Sequence, residues 1–388
     1  MKKLSECRVL IVDDAKPNID ILVASLKDDY KLSVALNGET ALQVAEKTPP
    51  DLVLLDIMMP GLDGYEVCRR FRQMPAMADV PVVFLSSLDE VQNKAQGFEA
   101  GANDYVTKPF EMLEVQARVR SLLKAKAYSD SVKEQLAADL RVAHNIQMAM
   151  LPHDFAAVEK AYGVSFGAVL EPAREVGGDL YGVCAAGPEH LMIFLGDVSG
   201  KGIPASMFMV RAVSLAGLLA REIREPKRIL ERLNDELSVD NPSCMFVTFL
   251  CAVFETATRR LTLASGGHCY PLLLPSDGAP HWITKTMGTA LGFDSGLEYQ
   301  AVDVTLGEGD TVIFYTDGVT EAFNPGRELY GSDRLLADAT SFTSQSASAI
   351  SAGLLAKVRA FADTEPQSDD IAILTFKVNG AKGSEARA

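Results

Sequence analysis

The sequence contains no apolar run long enough to cross a membrane. Its most apolar window, residues 245–254, has the length of a buried strand, whereas a transmembrane helix needs roughly 20 residues. The apolar run 9–12 is cut off by Asp13 and Asp14, too early for the hydrophobic region of a signal peptide. We therefore expect a cytoplasmic protein without a membrane partner.

An excess of positive charge is also absent. The chain has 37 Lys and Arg residues against 52 Asp and Glu residues, which gives a formal net charge of -15. Binding to nucleic acid or to an anionic membrane needs a basic face, and the sequence contains no basic recognition helix. We therefore expect no nucleic-acid partner.

Cysteine and histidine are scarce. The six cysteines form no CxxC pair, which is typical of free thiols in a reducing compartment rather than of a disulfide scaffold. The five histidines are scattered, and no nucleophile elbow is present, which disfavours a Ser-His-Asp hydrolase. His268, in a Gly-Gly-His motif, is interpreted as structural.

Short apolar strands alternate with amphipathic helices in the first third of the 388-residue chain. This alternation predicts a doubly wound α/β domain with a five-stranded parallel sheet. The predicted strands are 8–12, 32–35, 52–56, 82–86 and 104–107. Ligands bind at the carboxyl ends of such strands, where Asp13, Asp14, Asp56, Ser86 and Lys108 fall.

Residues 110–151 contain neither glycine nor proline, which predicts one continuous helix. Its second half carries an apolar stripe of helical period: Val132, Leu136, Leu140, Ala143, Ile146 and Met150. Two interpretations stay open. The helix either packs on its own domain, or it forms a coiled-coil dimer seam or signalling linker.

After Pro152 the pattern changes to antiparallel strands and two helices, which predicts an α+β domain with a β-sandwich flanked by helices. The predicted strands are 180–184, 191–195, 245–255, 260–264, 270–274, 311–315 and 371–376, and the helices are 203–223 and 226–237. The tail from Gly380 is predicted to be disordered.

Grouped carboxylates repel one another unless a cation neutralises them. Asp13, Asp14 and Asp56 can together bind Mg²⁺, which prefers oxygen ligands. If Asp56 is also the nucleophile toward a phosphoryl donor, Lys108 can hold the transferred oxygens and Ser86 can hydrogen-bond one of them.

These residues lie in motifs that resemble the receiver domain of two-component response regulators. The motifs are LIVDDAKPN, LVLLDIMMPGLDG, VVFLSS and ANDYVTKPF. The resemblance implies a flavodoxin-like fold, Asp56 as the phosphoacceptor, and Asp13, Asp14 and the Met58 carbonyl as magnesium ligands. It also implies that Ser86 and Tyr105 are the switch residues.

The predicted hairpin around Pro188 brings a second set of aspartates together. Asp179 and Asp197 are equally distant from this proline, so antiparallel pairing places them side by side. Asp317 follows one predicted strand and Asp369 precedes another, so both can reach the same rim. An all-carboxylate set selects magnesium or manganese over zinc, and two such ions can activate water toward a phosphate monoester.

The second half of the chain resembles the metal-dependent PPM serine/threonine phosphatases, in their bacterial sporulation stage II E branch. The motifs are GGDLYGV, GDVSGKGIPASM, MFVTFLCAVF, SGGHCYPLLL, TMGTALGF, YTDGVTEAFN and SDDIAIL. The resemblance implies that Asp197 bridges two metals with the Val198 carbonyl assisting. It also implies that Asp317 and Asp369 complete one metal, and that Asp179 acts at the other.

Two features of this region remain without an assigned role. Ser199 stands where many eukaryotic members carry a general-acid histidine, so the resemblance names no proton donor. Lys201 is either a phosphate contact or a solvated loop lysine. The segment HNIQMAMLP resembles the regulatory helix that precedes the catalytic domain in this branch.

Together these features predict a receiver domain at 1–124, a helical linker at 125–152, a phosphatase domain at 153–379 and a disordered tail at 380–388. The predicted function is a response regulator, controlled through Asp56, that dephosphorylates phosphoserine or phosphothreonine on a partner protein with Asp197 and Asp317 as catalytic residues. Expected partners are a sensor histidine kinase, a phosphorylated anti-sigma factor antagonist and a second copy of the chain. The alternative is a non-catalytic adaptor, in which the phosphatase fold is a protein-binding module.

Overall fold

The computed structural model describes residues 3–86, 99–284 and 288–380. The chain divides into two compact units, Met1–Ala138 and Asp139–Ala388. The domain limits given above stay predictions. The predicted disordered tail lies outside the described residues apart from Gly380, and the motif at 286–293 is described only from Gly288.

A five-stranded parallel sheet forms the centre of the first unit. Its strands are β1 (Arg8–Val12), β2 (Lys31–Ala35), β3 (Leu52–Asp56), β4 (Val82–Ser86) and β5 (Asp104–Thr107). The order is β2-β1-β3-β4-β5, and every neighbouring pair is parallel. All five carboxyl ends therefore lie at one edge of the sheet, as predicted.

Helices cover both faces of this sheet. The helices are α1 (Lys16–Leu26), α2 (Gly38–Lys47), α3 (Gly64–Gln73) and α4 (Met112–Ala149). Along β3, Val53 and Leu55 join a core with α2 and α3, whereas Leu52 and Leu54 join a core with α1 and α4. Alternate side chains of a strand point to opposite faces, so this division confirms the doubly wound fold.

Helix α4 is continuous over 38 residues, which confirms the prediction of one long helix. Along its predicted apolar stripe, Val132, Leu136 and Ile146 are exposed, and Leu140, Ala143 and Met150 are partly buried. None of the described helices combines the length and the apolarity that crossing a membrane requires.

Two antiparallel sheets of five strands form the second unit. One sheet has the order β13-β10-β9-β8-β7 and the other has the order β12-β11-β14-β15-β6. The strands are β6 (Val164–Glu171), β7 (Leu180–Ala185), β8 (His190–Val198), β9 (Val247–Glu255), β10 (Arg260–Gly266), β11 (Leu272–Leu274), β12 (His281–Trp282), β13 (Ala301–Thr305), β14 (Thr311–Tyr315) and β15 (Ile371–Val378). Phe254 of one sheet and Phe376 of the other meet edge to face in a shared core, with ring centroids 5.1 Å apart. This packing confirms the predicted sandwich.

Helices flank the sandwich on both sides. They are α5 (Ala156–Tyr162), α6 (Ile203–Leu219), α7 (Pro226–Ser238), α8 (Asp317–Thr320), α9 (Gly331–Thr340) and α10 (Ala347–Ala362). Helices α6 and α7 pack on the first sheet and add side chains to the main core of this unit. Helix α10 packs on β6 and β15 of the second sheet. A Cβ atom on Gly167 of β6 would lie 2.2 Å from the Ala347 carbonyl oxygen, so only glycine permits this approach of α10.

Several boundaries differ from the predictions. Strand β9 begins at Val247 rather than 245, because the Asn241 side chain binds both the N–H and the carbonyl of Met245. Helix α6 ends at Leu219 rather than 223. The N–H groups of Arg221 and Glu222 donate to carbonyls three residues earlier, which forms a turn instead of a further α-helical turn. Strands β6, β12 and β13 were not predicted from the sequence.

Candidate functional site

The first acidic cluster lies at the carboxyl edge of the parallel sheet. Oxygen atoms of Asp13, Asp14 and Asp56 all lie within 4.8 Å of one another. Asp13 and Asp56 are buried at the ends of β1 and β3, and Asp14 is exposed. Carboxylates this close need a compensating cation, and their hard oxygen atoms suit Mg²⁺.

Lys108 supplies a fixed positive charge to this cluster. Its Nζ lies 2.8 Å from Asp13 Oδ2 and 2.8 Å from Asp56 Oδ1. Burial raises the pKa of Asp56, and the Lys108 ammonium opposes that rise. Burial lowers the pKa of Lys108, but hydrogen bonds to Asp13 and Asp56 outweigh burial and raise it above its ordinary value.

The Asp13 carboxylate is also held from its other side. Asn18 Nδ2 donates to Asp13 Oδ1 and Oδ2 at 3.1 and 3.0 Å, and the Ala15 N–H donates to Oδ1 at 2.8 Å. Sequence analysis did not single out Asn18. Its position in the first turn of α1, five residues after Asp13, is the signal that points to this contact.

The remaining predicted receiver residues surround the same edge. Ser86 is buried at the end of β4, and its carbonyl accepts a 2.7 Å hydrogen bond from the Lys108 N–H. Tyr105 is partly buried, with the Arg118 guanidinium 5.8 Å from its ring centroid. The Met58 side chain is exposed in the loop after β3. The switch and ligand roles of these residues stay predictions.

The second set of aspartates is brought together by strand register. In the β7–β8 hairpin Leu180 pairs with Gly196. Continuing this register by one residue places Asp179 opposite Asp197. This is the register predicted from the position of Pro188. Asp179 is fully buried, and its Oδ2 accepts a 2.7 Å hydrogen bond from Thr316 Oγ1.

Asp317 and Asp369 reach the same site from the second sheet. Asp317 begins α8 directly after β14, and Asp369 lies just before β15. Burial raises the pKa of Asp197 to about 7, with further contributions from Asp317 and Asp369. Burial and then the charge of Asp197 raise the pKa of Asp179 well above its ordinary value. The two sheets therefore bring four acidic side chains close enough together for their charges to raise the pKa values of Asp179 and Asp197.

This second set is spread more widely than the first. Among the described residues, three carboxylates whose oxygen atoms approach within 4.8 Å of one another occur only at Asp13, Asp14 and Asp56. Burial is the main cause of the raised pKa values of Asp179, Asp197 and Asp317, and the neighbouring aspartates add to it. An all-carboxylate set of this kind suits a divalent cation such as Mg²⁺ or Mn²⁺.

Comparison with known families finds two matches, one within each compact unit. The family model "Response regulator receiver domain" matches residues 9–120, and the model "Stage II sporulation protein E (SpoIIE)" matches residues 187–379. The chain joins a receiver domain to a phosphatase domain of the SpoIIE family. Both families use divalent metals, in agreement with the acidic cluster of Asp13, Asp14 and Asp56.

Two curated regulatory proteins are similar to about a third of the chain. The chain is 41% identical over 136 residues to response regulator PleD of Caulobacter vibrioides, covering 35% of this chain and 30% of PleD. It is 43% identical over 118 residues to the alkaline phosphatase synthesis transcriptional regulatory protein PhoP of Bacillus subtilis, covering 30% of this chain and 48% of PhoP. The chain therefore spans less than half of the length of these two relatives.

Solved structures establish the fold of the phosphatase domain. The SiaA-PP2C domain of Pseudomonas aeruginosa matches with a TM-score of 0.56 at 21% identity, over 63% of this chain and 98% of that domain. A Mycobacterium tuberculosis structure of RsbU and RsbW domains matches with a TM-score of 0.50 at 23% identity, over 56% of this chain and 61% of that structure. The shared feature is a PP2C-type fold.

The phosphatase domain contains a buried aspartate that sequence analysis missed. Asp370 accepts hydrogen bonds from the Ala173 N–H at 2.7 Å and the Gly178 N–H at 2.6 Å. A Cβ atom on Gly177 would lie 2.1 Å from Asp370 Oδ2. Asp370 therefore holds the loop that leads into Asp179. The paired glycines before Asp179 were the available signal.

Two further polar residues of the phosphatase site were also missed. Thr316 is buried, donates to Asp179, and accepts a 2.8 Å hydrogen bond from the Ala372 N–H. Glu321 lies one turn after Asp317 in the chain, where burial, Asp317 and Asp369 raise its pKa. Thr316 thereby connects Asp179, directly before β7 in the first sheet, to β15 in the second sheet.

The loop after β8 carries the remaining candidates. The Val198 carbonyl oxygen would lie 2.7 Å from a Cβ atom on Gly178, so it lies against the loop before Asp179. Ser199 Oγ accepts a 3.0 Å hydrogen bond from the Phe246 N–H, which closes the loop against β9. Lys201 Nζ lies 3.1 Å from Asp369 Oδ2 and donates to the Ser368 carbonyl.

His268 is buried just after β10. Its Nδ1 lies 2.8 Å from Thr248 Oγ1, and Thr248 pairs with Asp197 across β8 and β9. Burial lowers the pKa of His268 to about 4. A neutral, enclosed imidazole that contacts Thr248 supports the structural interpretation.

Proposed function

We propose that this protein is a response regulator whose output is a metal-dependent protein-serine/threonine phosphatase, controlled by phosphorylation of Asp56. Convergence of Asp179, Asp197, Asp317 and Asp369 from both sheets of the sandwich is the observation that carries the catalytic half. The Asp13, Asp56 and Lys108 cluster supports the receiving half. The domain limits 1–124, 125–152 and 153–379 belong to this proposal.

The two sites hold their cations with different residues. In the receiver, Asp13, Asp14, Asp56 and the Met58 carbonyl hold one Mg²⁺, and Lys108 is left to meet the phosphoryl oxygens. In the phosphatase domain, the residues that hold two Mn²⁺ or Mg²⁺ ions are Asp179, Asp197, the Val198 carbonyl, Asp317 and Asp369. When bound, the two ions supply Lewis acidity to the phosphoryl oxygens and lower the pKa of a water.

Control of the phosphatase site runs through the end of helix α4. Gln147 is buried, and its Nε2 donates to the Gly177 carbonyl at 2.6 Å while its Oε1 accepts from the Gly177 N–H at 3.3 Å. One turn earlier, His144 Nδ1 lies 2.8 Å from the Glu175 carbonyl oxygen. The helix therefore holds the loop that Asp370 also holds, directly before Asp179.

This arrangement gives receiver phosphorylation a physical route to the active site. A change in position or rotation of α4 moves the Gly177 backbone, and the loop can then no longer satisfy Asp370 and present Asp179 together. A two-state element of this kind is what a phosphorylation switch requires. Repacking of Ser86 and Tyr105 is the receiver event that biases it.

Partners follow from the two chemistries. The receiver takes its phosphoryl group from a sensor histidine kinase. The phosphatase domain acts on a cytoplasmic phosphoprotein, for which an anti-sigma factor antagonist is the proposed substrate. The exposed stripe residues Val132, Leu136 and Ile146 support a homodimer through α4.

The decisive experiment measures Mn²⁺-dependent hydrolysis of p-nitrophenyl phosphate by the purified chain. We expect activity that is lost in Asp197→Ala and in Asp317→Ala and is retained in the matched control Asp277→Ala, an exposed loop aspartate. Beryllofluoride, a phosphoryl mimic, should change turnover of a phosphoserine protein in wild type and not in Asp56→Asn. A chain that stays inert with Mn²⁺ and with Asp56 phosphorylated would contradict the proposal.

The alternative is a non-catalytic adaptor that binds a partner through the phosphatase fold. Loss of metal-binding aspartates is expected in such an adaptor, whereas this chain keeps all four. An adaptor would bind its partner equally well in wild type and in Asp197→Ala, without hydrolysis in either.

A further inference from the structure

Lys201 is placed as a cation within the acidic phosphatase site. Its Nζ lies 3.1 Å from Asp369 Oδ2, and the same ammonium donates to the neighbouring Ser368 carbonyl. Burial and Asp369 raise the pKa of Asp317, and the Lys201 ammonium opposes that rise. In the described part of the chain, no other lysine or arginine forms an ion pair with Asp179, Asp197, Asp317 or Asp369.

The backbone around Lys201 leaves its side chain free to relocate. Gly200 and Gly202 flank it with φ of 84° and 75°, values that favour glycine. A Cβ atom built on either glycine meets nothing within 4 Å, so the loop faces open space. Both Lys201 and Asp369 keep 36% of their side-chain surface exposed. Breaking this ion pair therefore disrupts no core packing.

We propose that Lys201 is a displaceable internal counter-cation: its ammonium occupies Asp369 in the metal-free protein, yields that carboxylate to a divalent cation, and then contacts the phosphoryl group of the substrate. The inference rests on the proposed function and adds a substrate-contacting residue to it. The Asp369 carboxylate binds a divalent cation more weakly while it also pairs with the Lys201 ammonium, because the two positive charges repel each other. The released ammonium is the one positive charge that can offset the repulsion between the acidic site and a phosphate dianion, since among the described residues no other lysine or arginine forms an ion pair with the four aspartates.

The first test is calorimetric titration of the metal-free full-length chain with Mn²⁺, which requires no turnover. Lys201→Met removes the competing charge, and we expect its apparent Mn²⁺ dissociation constant to fall about two- to fivefold, the range measured for partly exposed ion pairs. Lys201→Arg keeps the charge and should titrate like wild type. The matched control is Lys357→Met, which removes a lysine from an exposed ion pair with Asp338 outside the site.

The second test measures inorganic phosphate as a competitive inhibitor at saturating Mn²⁺. We expect Lys201→Met to weaken phosphate inhibition several-fold and to raise KM for a phosphopeptide, with partial rescue by Lys201→Arg. Lys357→Met should leave both constants unchanged.

Either of two outcomes overturns the inference. If Lys201→Met titrates like wild type, or if Lys201→Arg tightens Mn²⁺ binding as much as Lys201→Met, the ammonium does not compete for Asp369. If Mn²⁺ binding tightens while phosphate inhibition is unchanged, the ammonium does not move to the phosphoryl group. A wild-type chain that binds no Mn²⁺ beyond the single ion expected at the receiver site would instead refute the proposed phosphatase itself.

Discussion

Replacing Gln147 with leucine should uncouple helix α4 from the phosphatase site. The leucine side chain has a similar volume, so the change removes hydrogen bonds more than packing. It leaves the N–H and the carbonyl of Gly177 without the partners seen at 3.3 and 2.6 Å, in a buried segment. The loop before Asp179 then loses its contact with Gln147 and keeps those with His144 and Asp370.

The magnitude follows from those two contacts. Leaving a buried backbone donor or acceptor unpaired costs about 1–3 kcal/mol. The 3.3 Å contact is the weaker of the two, so we expect a loss of about 2–4 kcal/mol in the free energy of unfolding of the second unit. For a unit of this size each kcal/mol lowers Tm by roughly 2–4 °C.

Three measurements check the prediction: thermal unfolding, amide hydrogen exchange over residues 174–178, and Mn²⁺-dependent hydrolysis. Gln147→Leu should unfold at lower temperature, exchange faster in that segment and hydrolyse more slowly. Asn145→Leu is the matched control, because Asn145 is an exposed amide on the same helix. If the two variants show the same exchange and the same activity, the helix does not control the loop through Gln147.

Two further predictions concern the acidic sites. Folding raises the pKa of Asp197 to about 7 and also raises that of Asp179, so the folded protein binds more protons than the unfolded chain at pH 5 to 7. The stability of the metal-free protein should therefore fall as pH rises through this window, and Mn²⁺ should abolish the loss. Denaturant midpoints at pH 5.5 and 8, with and without Mn²⁺, measure this, and a metal-free protein that is no less stable at pH 8 would contradict it. Gly64→Ala places a Cβ atom 2.2 Å from the Asp56 carbonyl oxygen, so it should destabilise the receiver by about 1–3 kcal/mol and reduce labelling of Asp56 by acetyl phosphate. Gly217→Ala, where a Cβ atom meets nothing within 4 Å, should cause neither change; equal labelling of wild type and Gly64→Ala would refute the steric argument.

Local sequence patterns were sufficient for the elements that carry the sites. All five parallel strands were predicted within one residue of their observed limits, because each is a short apolar run bounded by turn residues. The pairing of Asp179 with Asp197 also followed from the sequence, since hairpin register depends only on the distance of each residue from the turn.

Contacts between distant segments were not readable in the same way. Asp369 and Asp370 are adjacent in the chain, yet one faces Lys201 in the acidic site and the other is buried against the Ala173 and Gly178 N–H groups. Successive residues at a strand's start point to opposite sides, but only the loop that packs there decides which side is the site. The Gln147 contact likewise joins segments 30 residues apart.

The sequence by itself determined the two acidic sets, the parallel sheet that orders the first and the hairpin that begins the second, because strand period and turn position are local properties. Only the tertiary structure decided how Asp317 and Asp369 meet Asp197, which lysine neutralises them, and how α4 holds the loop before Asp179. These depend on how the two sheets and the helix pack. Packing is set by side-chain shape across the whole core, which no local pattern encodes.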